Sequence, residues 1–100
     1  MELTVAPLEA VPAGEGRTFA LPDARVAVFR TRDDRVYAVQ AACPHRGGPL
    51  ADGLIGGSTL VCPLHAWKFD MTTGAALNGT CTLRTFAARV DGTGQIVVDV

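Results

Sequence analysis

Two stretches decide how this chain is read: Cys43-Pro44-His45-Arg46-Gly47-Gly48-Pro49-Leu50 and Cys62-Pro63-Leu64-His65-Ala66-Trp67-Lys68-Phe69-Asp70. They hold both histidines of the chain and two of its three cysteines, spaced as Cys-x-His, sixteen residues, then Cys-x-x-His. Thiolate and imidazole are soft and borderline ligands that suit zinc and iron, so a bound metal is the first hypothesis. Three readings compete. Unconnected buried residues are one, because a free cysteine often behaves as a small hydrophobe. That reading leaves the histidines and the surrounding glycines without a purpose. A zinc staple of two Cys and two His, serving an interaction module, has the right ligand set, but its usual spacing keeps the cysteines together and the histidines together. A two-iron, two-sulfur cluster fits mixed pairs, since each loop then gives one thiolate to one iron and one imidazole to the other.

Outward from these loops the chain reads as short strands. Arg25 to Thr31 and Arg35 to Gln40 flank Arg32-Asp33-Asp34, a hairpin with a polar turn. Arg84 to Val90 and Gln95 to Val100 flank Asp91-Gly92-Thr93-Gly94, a second hairpin. Glu2 to Ala6 and Arg17 to Leu21 predict two more strands, with one loose turn between Leu8 and Gly14. Ser58 to Val61 and Ala66 to Asp70 bracket the second cysteine–histidine pair. Asp70-Met71-Thr72-Thr73-Gly74 reads as a tight turn in which Gly74 supplies positive φ. Cys43 to Gly57 carries two Pro and five Gly, and no alternation there is long enough to predict a strand. Scattered Gly and Pro leave little room for helix. The expected fold is all-β, a small antiparallel sandwich or barrel with two cluster-binding loops.

One hundred residues, 48% of them apolar, predict a single domain spanning 1–100. A chain of this size buries roughly two-thirds of its unfolded surface. The net charge of −1 makes nucleic acid or an anionic membrane an unexpected partner. No glycine-rich dinucleotide fingerprint occurs, which excludes a self-contained NAD or flavin enzyme. No basic-then-apolar leader and no 18-residue apolar run is present. Three cysteines make an odd count, which argues against a disulfide framework and for a reducing cytoplasm.

The two quoted motifs together resemble the Rieske iron–sulfur family, and the flanking strands suit its β architecture over nearly the whole chain. The resemblance implies a Rieske [2Fe-2S] cluster with Cys43 and Cys62 on the buried iron and His45 and His65 on the outer one. Cytochrome-complex members of that family join their cluster loops with a disulfide, and the matching positions here are Gly48 and Leu64. Those members also place a serine and a tyrosine where this chain has Trp67 and Phe69. Hydroxyl donors to sulfur favour the reduced state, so their absence implies a low potential.

A narrower similarity points to the small subunit of assimilatory NAD(P)H nitrite reductase. It rests on Gly47 to Gly53, Phe69 to Gly74, and Cys81 with Leu83 to Val90. Ferredoxins that feed aromatic ring-hydroxylating dioxygenases share the cluster loops and are the alternative. Either implies an electron carrier without chemistry of its own, whose redox partner is a large flavin- or haem-type reductase subunit or an oxygenase. Cys81 reads as a spectator thiol and Trp67 as a shield against water. Arg46, beside His45, is either a cation at a docking rim or a solvated loop residue.

Overall fold

The computed structural model describes residues 1–44, 47–64 and 67–100. Among these, nine strands form: β1 (Glu2–Pro7), β2 (Glu15–Ala20), β3 (Arg25–Arg30), β4 (Val36–Gln40), β5 (Leu54–Gly56), β6 (Thr59–Val61), β7 (Lys68–Asp70), β8 (Thr85–Val90) and β9 (Gln95–Asp99). Short 3-10 turns at Leu8–Ala10 and Leu50–Asp52 are the helical elements described. Six strands make one antiparallel sheet in the order β1-β9-β8-β4-β3-β2, and β5-β6-β7 make a second.

Both predicted hairpins form. Phe29 faces Tyr37 across β3–β4, and Arg89 faces Val97 across β8–β9. The β3–β4 turn is closed by the Thr31 amide donating to the Arg35 carbonyl at 2.8 Å, with Asp34 at positive φ. Gly74 has φ 81°, as its turn requires. Leu54–Gly56 corrects the expectation of a strandless Cys43–Gly57 segment. With three residues, β5 shows no alternation; it exists because Ile55 and Leu60 pair across β5–β6.

Alternation along β3 builds two cores, one on each face of the large sheet. Val26 and Val28 join Val11, Ala38, Ile96 and Val98 on one side. Ala27 and Phe29 turn the other way, into a core with Val39, Leu50, Leu60 and Phe69. This second core lies between the two sheets, and Cys43 and Cys62 belong to it.

Candidate metal centre

Each candidate cysteine ends a strand-to-loop transition, and the two loops are built alike. In the first, the Cys43 amide donates to the Gly48 carbonyl at 2.8 Å. In the second, the Cys62 amide donates to the Trp67 carbonyl at 2.7 Å. Both loops are thus closed by the cysteine's own N–H reaching five residues ahead. A bond from the Gly47 amide to the Cys43 carbonyl, 2.7 Å, tightens the first loop, and Gly47 takes φ 72° there. The loops touch at Gly48 and Leu64.

This construction brings Cys43 and Cys62 together, both buried and both free thiols. Burial raises the pKa of Cys62, and the neighbouring Cys43 thiol adds to the rise; a hydrogen bond from the Leu64 amide opposes it. Two adjacent sulfurs in an apolar setting resist ionisation unless a cation joins them. With a metal ion the same setting becomes favourable, because the ion supplies the missing positive charge and excluded water strengthens the bonds. The donor set therefore fits an iron site. His45 and His65 lie outside the described residues.

A third segment completes the surroundings, and the sequence offered little sign of it. The Leu77 amide donates to the Lys68 carbonyl, and the Lys68 amide donates to Asn78 Oδ1, both at 2.8 Å. Gly79 lies against the ring of Trp67, so close that a Cβ there would stand 2.0 Å from it. Trp67 in turn stacks on the buried Phe69, with centroids 6.5 Å apart. Gln40 ties the base of the first loop to this segment: its Nε2 donates to the Ala42 carbonyl at 2.6 Å, and its Oε1 accepts from the Arg84 amide at 2.8 Å. Cys81 is half-buried and packs against the outside of the core that holds the thiol pair.

Residues 1–89 match the Rieske [2Fe-2S] domain family. The chain belongs to the Rieske family. Members of this family carry a Rieske [2Fe-2S] cluster, whose cysteine and histidine ligands set it apart from all-cysteine clusters. Its similarity to solved structures runs the length of the chain. It superposes on a protein proposed to be the small subunit of NADH-dependent nitrite reductase from Mycobacterium tuberculosis with a TM-score of 0.90, at 26% identity. That match covers 98% of this chain and 93% of the other. The ferredoxin of carbazole 1,9a-dioxygenase from Nocardioides aromaticivorans gives 0.85 at 31% identity, covering 98% and 96%. Cholesterol 7-desaturase nvd of Xenopus laevis is 34% identical over 87 residues, which is 86% of this Rieske chain but only 18% of the desaturase. The chain spans less than a fifth of the length of the first curated relatives it matches.

Proposed function

We propose that this Rieske protein is a one-electron carrier, acting as the small subunit of an NAD(P)H nitrite reductase. In this reading Cys43 and Cys62 hold one iron of the cluster, and His45 and His65 hold the other. The observation that carries it is the adjacent pair of buried thiols on two similarly closed loops. When bound, the cluster supplies reversible one-electron chemistry. The chain's own residues hold it and keep water away: Leu60 and Phe69 lie in the same buried core as the thiols, and Trp67 packs against that core. Four protein ligands would leave no coordination position for substrate. Nitrite, flavin and NAD(P)H therefore belong to a large partner in the cytoplasm, and residues 1–100 act as one unit.

A second reading, the ferredoxin of a ring-hydroxylating dioxygenase system, draws support from the higher identity to the carbazole dioxygenase ferredoxin. Both readings share the cluster. The protein should contain about two iron and two acid-labile sulfides per chain. Cys43→Ala, His45→Ala, Cys62→Ala and His65→Ala should each abolish it, whereas Cys81→Ser should retain it. Stoichiometric zinc without iron after anaerobic preparation overturns the assignment. Electron delivery to a nitrite reductase large subunit, compared with a dioxygenase terminal component, decides between the two partners.

A further inference from the structure

The charges of this molecule are distributed unevenly with respect to the thiol pair. Strand β4 runs from the β3–β4 turn at one end of the sheet toward Cys43 at the other, and its partners β3 and β8 have Arg25 and Thr85 at that same end. Around or near the far end Arg30 binds Asp34, Arg35 binds Asp33 and Arg17 binds Glu15, and Arg32 is exposed there without a carboxylate partner among the described residues. Arg89 is neutralised by Glu2.

The cysteine end differs. Arg25, Lys68 and Arg84 are exposed there, and none has a carboxylate partner among the described residues. Each is tied to a cysteine loop. The Arg25 carbonyl accepts from the Ala41 amide, and Arg25 shares an open depression with Gln40, Ala42, Gly47 and Pro49. Lys68 follows Trp67, whose carbonyl closes the second loop. Arg84 bonds through its amide to Gln40, with its guanidinium 4.8 Å from the centre of the Phe86 ring. Arg46 lies outside the described residues.

Two of the four acids on this end are already paired. Asp23, in the β2–β3 turn, shares this end of the sheet, and so do Glu2 and Asp99 by their register with β8, Glu2 held by Arg89 and Asp99 by the N-terminal amine. Asp52, exposed on the 3-10 turn, precedes β5 at the Val61 end of the small sheet, which is the Cys62 end. Asp70 is at the far end of β7, its carboxylate accepting from the Thr72 amide. Two exposed leucines belong to the same end: Leu64, 43% exposed, lies against Gly48 of the first loop, and Leu77, 56% exposed, bonds through its amide to the Lys68 carbonyl. Uncharged apolar side chains framed by unpaired cations make a surface with a stated complement.

We propose that Leu64 and Leu77, framed by Arg25, Lys68 and Arg84, form the docking surface for a redox protein that presents carboxylates around an apolar patch. This rests on the electron-carrier reading and specifies the partner's chemistry. The molecule as a whole is negative, at −1, so its total charge and its local field at the thiol end predict opposite behaviour toward anions.

Small redox probes exploit that opposition. The reduced holoprotein should pass one electron to ferricyanide, giving ferrocyanide and the oxidised protein, at a rate that falls as salt rises, on the order of tenfold between low and physiological ionic strength. Oxidation by a cationic cobalt(III) tris-phenanthroline complex should instead speed up with salt. Lys68→Glu with Arg84→Glu should invert both trends, while Arg32→Glu, on the turn at the far end, should leave their signs unchanged. Independently of electron transfer, immobilised poly-L-glutamate should retain the holoprotein at low salt, and the Lys68→Glu, Arg84→Glu variant should pass through. A ferricyanide rate that rises with salt, or equal retention of that variant, overturns the docking surface while leaving the carrier intact. Protein that lacks iron and reduces neither probe contradicts the carrier reading itself.

Discussion

Gly48 lies directly beneath the side chain of Leu64. A Cβ placed on Gly48 would stand 2.8 Å from Leu64 Cδ1 and 3.6 Å from Leu64 Cβ. The first contact explains why a small residue suits position 48. The second falls inside the Cβ separation of about 3.5–4.5 Å that disulfides adopt. Gly48→Cys with Leu64→Cys should therefore close a bridge between the two loops. Alkylation followed by mass spectrometry should show the new pair protected until reductant is added. A closed loop of this length is worth about 3 kcal/mol in a chain-entropy account, most visibly in metal-free protein. Free, alkylatable thiols at both positions under oxidising conditions would contradict the loop geometry.

The potential should be low. Trp67 and Phe69 present no hydroxyl, and the buried Phe69 shares a core with both thiols. Voltammetry of the wild-type protein should give a midpoint near the lower bound for Rieske centres, about −150 mV. Phe69→Tyr should move it upward if the new hydroxyl reaches sulfur, by about 59 mV for each tenfold shift in the one-electron equilibrium. A wild-type value near +300 mV, the upper bound, would refute the argument.

Gly79 should tolerate no side chain. The neighbour a Cβ would meet at 2.0 Å is an indole ring held between the 77–79 segment and Phe69, not the free end of a flexible chain. Gly79→Ala should cost about 1–3 kcal/mol, as overpacking does. Denaturant unfolding measures that cost, and the emission of Trp67, the single tryptophan, reports the displaced ring. Stability and emission both unchanged would show that the segment does not clasp Trp67.

The β8–β9 turn should weaken in acid. Asp91 is held below the usual carboxylate range, first by the Thr93 hydroxyl and then by the Gln95 and Thr93 amides. Its pKa is lower in the folded state, so its contribution is present above the unfolded value of about 3.9 and is lost as pH falls through the folded value. Asp33, held down chiefly by the Thr31 hydroxyl, behaves alike at the β3–β4 turn. Amide exchange at Thr93 and Gln95 should accelerate below about pH 4, and Asp91→Ala should give the fast rates already at neutral pH. Exchange that is unaltered by Asp91→Ala would remove the carboxylate from the turn's account.

The sequence by itself determined the strands whose signals are local. Val26 to Phe29, Val36 to Val39 and Ile96 to Val98 are apolar runs bounded by polar turns, and each became a strand of the large sheet. The candidate ligands stood out in the sequence because cysteine and histidine are rare and their spacing is a chemical statement; of them the structure describes Cys43 and Cys62, which it brings together. Tertiary structure alone decided what depends on residues distant in the chain. Leu54–Gly56 is too short to show a period and became a strand because β6 lay ready to pair with it. The closeness of Gly48 to Leu64, the clasp of Asn78 and Gly79 over Lys68 and Trp67, and the tie of Gln40 to Arg84 join segments 10 to 44 residues apart. No local pattern encodes such contacts. They arise when two sheets close on a shared core and the loops at one end are left with one way to meet.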